Sequence, residues 1–298
     1  MKILRNQTIS KFFLLGLTVV SEQQQHIFML SLCMYLVTIV GNLLIILAII
    51  KDAHLQSPMY FFLANLFFTD ICFTTTTVPK MLADIQSQSL IISFAGCLTQ
   101  MYFFMLLLDL DNFLLAAMAY DLNIAICHPL HYAASLSPKG CVLLVVTPWV
   151  VSNLVSVLHL SLLGLLNFCD QREIPHFFCD LETILRLACL DTQINDLTIL
   201  VIGGSGIFIP FSFIFVSYSL IGCTVLRIPS AKGKWKTFST CGSHFLAVAL
   251  FSERDKVVAI MYMVVTPMMN PFIYSLRNKD MKGALRRLLI REIYFWRW

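Results

Sequence analysis

Five polar or acidic side chains lie within long apolar stretches of the sequence: Asn42, Asp70, Asp109, Asp111 and Asn270. Such groups are costly in hydrocarbon, and they usually face a partner or a water-filled cavity. Asp70 and Asp111 could share water, a cation or a proton between helices, or the set could be a polar cluster that only ties helices together. Asp109 and Asp111 are two positions apart and cannot share one helical face, so we expect one of them to face a different cavity.

Four of the ten cysteines lie towards the expected outer face: Cys97 at the outer end of the third span, and Cys169, Cys179 and Cys189 in the long outer loop. Thiols on an oxidising face favour disulfides, and four of them allow three pairings. The alternative is a metal site with His176, but the cysteines and histidines show no CxxC or HxxxH spacing. The sequence therefore favours two disulfides and no metal, with the pairing left open.

No enzyme motif is present: the sequence holds no nucleophile elbow, phosphate-binding loop, HExxH motif or paired-carboxylate hydrolase site. We therefore expect no enzyme and no cofactor. Hydrophobic residues make up 58% of the chain and charged residues only 13%, against about 25% charged residues in soluble domains. This composition excludes an ordinary cytosolic enzyme, a disordered chain and a nucleic-acid-binding module, and it predicts a membrane protein.

The elements that must position these residues are membrane-spanning helices, each of which needs about 20 apolar residues. Apolar runs predict seven spans: His26–Ile50, Pro58–Leu82, Phe94–Tyr120, Cys141–Leu166, Ile199–Leu226, Phe238–Phe251 and Val257–Leu276. The sixth run has only 14 residues, or about 21 Å of helix against about 30 Å of hydrocarbon. We find no inverted repeat of the kind that a transporter would need.

Charge placement predicts that the N-terminus lies outside, because 13 of the 21 lysine and arginine residues then fall in cytosolic segments. The sequon at Asn6 is usable in this orientation. The predicted organisation is one domain with an outer N-terminus (1–25), a helical bundle (26–276) and a cytosolic tail (277–298). The basic segment Lys279–Arg291 is expected to lie as an amphipathic helix along the lipid of the inner leaflet.

Four motifs resemble those of the olfactory receptors, a family of rhodopsin-like G protein-coupled receptors. They begin at Pro58 (PMYFFLANLFFTDICFTTTTVPKML), Met118 (MAYDLNIAICHPLHY), Lys236 (KTFSTCGSHF) and Pro267 (PMMNPFIYSLRNKDMKGAL). They occur in the family's order, and the match covers almost the whole chain. The resemblance implies an all-α, seven-transmembrane bundle in the plasma membrane that binds a small hydrophobic odorant and couples to a stimulatory, olfactory-type G protein. Trafficking chaperones are further implied partners.

The resemblance also implies roles for individual residues. It pairs Cys97 with Cys179 and Cys169 with Cys189, and it makes Asn42, Asp70, Asp111 and Asn270 a buried polar and ion cluster. The implied ligand-binding residues are Phe104, Met105, Leu108, Asp109, Ile202, Gly203, Gly206 and Ile207. The implied positions for activation and G protein coupling are Asp121, Leu122, Asn123, Tyr218, Pro271 and Tyr274.

Two features depart from the family pattern. Leu122 stands where the family carries the arginine that contacts the G protein, and leucine cannot replace a guanidinium group. The family resemblance also jumps from Phe251 to the charged segment Ser252–Lys256, so that the outer half of the sixth helix, which carries ligand contacts, is missing. The alternative hypothesis is therefore a non-signalling, receptor-like membrane protein that is retained in the endoplasmic reticulum or binds other receptors.

Overall fold

Five long helices dominate the computed structural model, which describes residues 11–15, 21–168, 172–189, 191–226 and 265–295. All five are long and apolar enough to cross a membrane. Their bounds are α1 Ser21–Lys51, α2 Pro58–Ser87, α3 Phe94–Cys127, α4 Pro138–Gly164 and α5 Gln193–Leu226. They correspond to the first five predicted spans, and each helix is longer than the apolar run that predicts it.

Two more helices lie towards the C-terminus. Helix α6, Thr266–Arg277, overlaps the seventh predicted span. Helix α7, Lys279–Phe295, covers the predicted basic tail helix and extends beyond it. The sixth predicted span, Phe238–Phe251, and the charged segment Ser252–Lys256 lie outside the described residues.

Local backbone chemistry, rather than hydrophobicity, decides where these helices begin and end. At the start of α3, the Oγ atom of Ser93 accepts a hydrogen bond from the Gly96 N–H at 3.0 Å. Pro58 and Pro138 occupy the first turns of α2 and α4, where a missing N–H removes no helical bond. Helix α2 ends at Gln88 in the left-handed conformation, with φ at 52°. Helix α2 therefore ends beyond its apolar run, whereas α4 ends at Gly164, two residues before the end of its run.

Helix α3 is the hub of the described bundle. It packs against α2, α4 and α5, while α1 packs against α2, α6 and α7. Towards the predicted cytosolic side, buried Phe62, Leu66, Leu110 and Leu114 join α2 to α3. Helix α5 instead carries large apolar side chains on its outer surface, and Phe208 is 71% exposed. A continuous apolar exterior of this kind suits contact with lipid rather than with water.

A small three-stranded sheet covers the predicted outer end of the bundle and adds to the all-α prediction. Strand β1, Lys11–Leu14, lies in its centre. It pairs antiparallel with β2, Ile91–Ser93, and parallel with β3, Glu173–Ile174. The sheet therefore joins the N-terminal segment to the start of α3 and to the long outer loop. Phe12 and Leu14 face a buried cluster beneath the sheet.

Replacing Phe12 with alanine tests this outer cover. The Phe12 side chain is fully buried, and its ring centroid lies 6.0 Å from that of Phe94 and 6.3 Å from that of Phe168. We expect Phe12→Ala to lower the free energy of unfolding by about 3–5 kcal/mol, measured as a lower melting temperature of the purified protein. Phe13→Ala is the control, because Phe13 lies in the same strand and is 41% exposed. Equal losses in the two variants would contradict the inward packing of Phe12.

Candidate functional site

Three helices contribute to a buried polar cluster in the middle of the bundle. The Nδ2 atom of Asn270 on α6 donates to both carboxylate oxygens of Asp70 on α2, at 3.2 and 2.9 Å. Asp111 on α3 lies close enough to Asp70 for their charges to interact. Within the described ranges, the Oδ1 atom of Asp111 has no hydrogen-bond donor. This arrangement leaves a buried carboxylate oxygen available to a small polar occupant such as water or a cation.

Asn42 ties α1 to the same end of α6. Its Nδ2 atom donates to the Pro267 carbonyl at 3.1 Å and to the Thr38 carbonyl at 2.9 Å. Pro271, one residue after Asn270, packs close to Gly41 of α1. A Cβ atom placed on Gly41 would lie 3.4 Å from the Pro271 ring. The predicted polar residues Asn42, Asp70, Asp111 and Asn270 are each at most 7% exposed.

Asp109 faces a different helix from Asp111. A Cβ atom placed on Gly206 of α5 would lie 2.9 Å from the Oδ1 atom of Asp109. The side chain therefore lies directly against the backbone of α5, and a residue larger than glycine at this position would force it to shift. Two predicted ligand-binding residues, Asp109 and Gly206, are in this way brought together across the α3–α5 interface.

The sequence analysis missed two features of this interface. Residues Ile199–Gly203 of α5 form a π-helical turn, a local widening that recurs at functional sites. His159 of α4 is buried, and a Cβ atom placed on Gly203 would lie 3.9 Å from its Nε2 atom. The signal that could have identified His159 is an ionisable side chain inside an apolar span. We find no sequence signal for the π turn.

The other predicted ligand-binding residues point in several directions. The Phe104 ring lies 5.4 Å from the Phe73 ring of α2 and 5.3 Å from the Phe178 ring of the outer loop. Met105 packs under the small sheet, whereas Leu108 packs with the cluster around Phe73. On α5, Ile202 is half-buried and Ile207 is 46% exposed. The described residues thus place these side chains around α3 and α5 rather than on one closed cavity.

A cavity of about 780 Å³ opens elsewhere, between α2 and α3 beside β2. Its wall includes Cys72, Thr76, Gln100, Phe103 and Leu107. Phe103 and Leu107 are four positions apart and share a helical face, so their neighbours Phe104 and Leu108 turn away from it. None of the eight predicted ligand-binding residues lines this cavity.

A disulfide between Cys97 and Cys179 joins the outer end of α3 to the long outer loop. This pairing is the one that the family resemblance implies, and it removes both sulfurs as free metal ligands. Gln100 supports the bridge, because its Oε1 atom accepts a hydrogen bond from the Cys179 N–H at 2.9 Å. Cys189 is also disulfide-bonded; Cys169, its expected partner, lies outside the described residues, as does the sequon at Asn6.

At the predicted cytosolic end of α3, Asp121 has a neutral partner. The Tyr132 hydroxyl, in the short helix Tyr132–Ser135, donates a hydrogen bond to the Oδ1 atom of Asp121 at 2.8 Å. Burial, followed by this hydrogen bond, raises the pKa of Tyr132. Tyr132 was missed by the sequence analysis, which named Asp121 only as a position for activation and G protein coupling.

The next two residues of the motif face α5. Leu122 packs against a buried α3–α5 cluster that contains Ile214, Tyr218 and Ile221. The Nδ2 atom of Asn123 donates to the Ser217 carbonyl at 3.2 Å. Tyr274 lies within α6. Leu122 thus fills apolar space at the site where the family carries its arginine.

The tail helix α7 is attached to the first cytosolic turn. The Nε atom of Arg287 donates to the Oδ2 atom of Asp52 at 2.9 Å, and this contact lowers the pKa of Asp52. Asn278, just before α7, donates to the Tyr60 hydroxyl at 2.7 Å. Met281, Ala284 and Leu288 are buried against the inner core. The amphipathic tail therefore presents its apolar face to the bundle.

Comparison with known proteins gives consistent matches along the chain. The family model described as "Olfactory receptor" matches residues 31–254. Olfactory receptor 1468 of Rattus norvegicus is 51% identical over 96% of this chain and 97% of its own length. Olfactory receptor 1F1 of Homo sapiens is 50% identical, with 96% and 97% covered. Olfactory receptor 1D2 of Gorilla gorilla gorilla is 54% identical, with 94% and 95% covered.

Replacing Tyr132 with phenylalanine tests the contact at Asp121. The variant keeps the ring but leaves the buried carboxyl without its donor, so we expect the free energy of unfolding to fall by roughly 1–3 kcal/mol. The measurement is the melting temperature of the purified receptor. Tyr120→Phe is the matched control, since Tyr120 is 37% exposed and lies next to Asp121 in sequence. A Tyr132→Phe protein as stable as the control would argue against this hydrogen bond.

Proposed function

The chain belongs to the olfactory receptor family, and from that premise we propose that it binds a small hydrophobic odorant within its helices and activates a stimulatory G protein. Family membership makes it a multi-pass, seven-transmembrane G protein-coupled receptor and not an enzyme. The observation that carries the proposal is the identity of about half of all residues to olfactory receptors along nearly the whole chain.

The α3–α5 interface supports ligand binding inside the bundle. Asp109, Gly206 and the π turn lie there together. The neighbouring side chains Met105, Leu108 and Ile202 are apolar and adaptable, as a pocket that selects ligands by shape and burial requires. The odorant would be held mainly by burial of its apolar surface, with few polar contacts to orient it.

G protein coupling must proceed here without the family's arginine. Leu122 has no hydrogen-bond donor and packs against α5. The inner surface near it still offers the polar groups of Asp121 and Asn123, both held by hydrogen bonds. We propose that the G protein binds the cytosolic surface around these groups, and that it binds more weakly because the guanidinium group is absent. The same proposal places the receptor in the plasma membrane, delivered by trafficking chaperones and with α7 along the lipid of the inner leaflet.

The functional test is odorant-evoked cAMP in cells that express an N-terminally tagged chain together with trafficking chaperones. We expect Leu122→Arg to lower the odorant concentration for half-maximal response by about tenfold, the effect of one charge-assisted hydrogen bond to the G protein. Leu122→Gln is the control, because glutamine introduces a polar side chain at this position without a charge. Surface labelling separates retention in the endoplasmic reticulum from failure to signal. If the unaltered chain, Leu122→Arg and Leu122→Gln all reach the cell surface and none raises cAMP with any odorant, the proposed coupling is contradicted.

A further inference from the structure

Asp109, like Asp111, accepts no hydrogen bond from the described residues, whereas three other acidic residues in the spans have polar partners. Asp70 accepts hydrogen bonds from Asn270, Asp84 pairs with Lys80, and Asp121 accepts from Tyr132. Asp111 shares the polar cluster with Asp70. No residue of the described ranges donates a hydrogen bond to Asp109, which is only partly buried. Ionisable groups at this depth are rarely left unpaired, because an isolated charge is costly in hydrocarbon.

The surroundings of Asp109 are shaped around its carboxyl group. Gly206 leaves space where any other residue would place a Cβ atom 2.9 Å from the Oδ1 atom. Three positions earlier, Gly203 ends the π turn of α5 and faces the buried ring of His159 on α4. The carboxyl group therefore lies beside the π turn of α5, where α3, α4 and α5 meet.

Apart from the His159 ring, apolar side chains adjoin Asp109 on α3 and α5. On α3, Met105 lies one helical turn before Asp109, and Leu108 directly precedes it. On α5, Ile202 is half-buried. A ligand that fits beside these residues needs a cationic group for the carboxylate and a short hydrocarbon body for the apolar wall. A protonated alkylamine has both, whereas a ligand with a negative charge would be repelled by Asp109.

We propose that the odorants of this receptor include small aliphatic amines, bound as ammonium ions by Asp109 at the α3–α5 interface. This inference rests on the odorant binding proposed above and names its chemical class. The ammonium group donates hydrogen bonds to the carboxylate of Asp109, and the alkyl chain packs along α3 and α5. Gly206 sets the position of the carboxylate, so it is a positioning residue for recognition.

The test is direct binding to the full-length receptor in lipid nanodiscs without a G protein. The probes are n-hexylamine, 1-hexanol and hexanal, which share a six-carbon chain and differ in the polar group. Binding is followed by the shift in melting temperature as each probe is titrated. We expect hexylamine to bind more tightly than hexanol, and Asp109→Asn to weaken hexylamine by at least about tenfold while hexanol changes little. Retained hexanol binding shows that the variant is folded.

Two glycine variants supply a matched pair. Gly206→Ala places a methyl group against the Asp109 carboxylate and should weaken hexylamine severalfold with little effect on hexanol. In Gly204→Ala, on the same helix but outside the named ligand-binding residues, the new Cβ atom meets its nearest neighbour, the Phe208 ring, at 3.9 Å, an ordinary contact. We expect that variant to bind both probes like the unaltered receptor.

Other outcomes overturn the inference in distinguishable ways. Equal binding of hexylamine and hexanol, unaffected by Asp109→Asn, would reject amine recognition and leave odorant binding intact. Selective loss of hexanal in Asp109→Asn would show that the carboxyl group acts as a neutral donor to carbonyl ligands. Failure of hexylamine to bind also rejects the inference; odorant binding itself is then judged by the response to the wider odorant panel in the cAMP assay.

Discussion

The hydrocarbon interior offers no hydrogen bonds, so polar side chains in a span are stabilised by contacts within the protein, and several on α3 meet other elements. This constraint organises the bundle around one helix. Cys97 and Gln100 engage the outer loop, Asp111 approaches the Asp70–Asn270 pair, Asp109 abuts Gly206, and Asp121 accepts from Tyr132. Because these partners lie on different elements, they fix the rotation of α3 about its axis, which apolar contacts alone define only weakly.

The two ends of α3 are restrained by different chemistry. At the outer end, a covalent bond and a buried amide hold the loop, and the sheet around Phe12 covers them. At the inner end, single hydrogen bonds from Tyr132 to Asp121 and from Asn123 to Ser217 add to apolar packing around Leu114 and Leu122. The outer end is therefore fixed by a covalent bond, whereas each hydrogen bond at the inner end costs little free energy to break.

The sequence was sufficient to predict the first five spans and the family, because these depend on apolar length and on continuous motifs. The predicted starts of α2 and α3, at Pro58 and Phe94, are confirmed, but the end of α2 was missed, since Gln88 acts through backbone geometry that hydropathy does not register. The sequence analysis also missed the sheet, whose strands have two to four residues. The sequence does not show that Tyr132 contacts Asp121 or that His159 lies beside Gly203, because these contacts form only in the folded bundle. It also gives no signal for the π turn at Ile199–Gly203.

The attachment of α7 has a consequence for biosynthesis. Asp52 and Arg287 are 235 positions apart, and Asn278 and Tyr60 are 218 apart. At about 5–20 residues per second, the ribosome needs on the order of ten to fifty seconds to supply the second member of each pair. During that interval the first cytosolic turn lacks its partners, and the inner edge of α1 and α2 has no cover from Met281, Ala284 and Leu288. These contacts can thus form only after α7 has been translated, and a chain that terminates before α7 cannot form them.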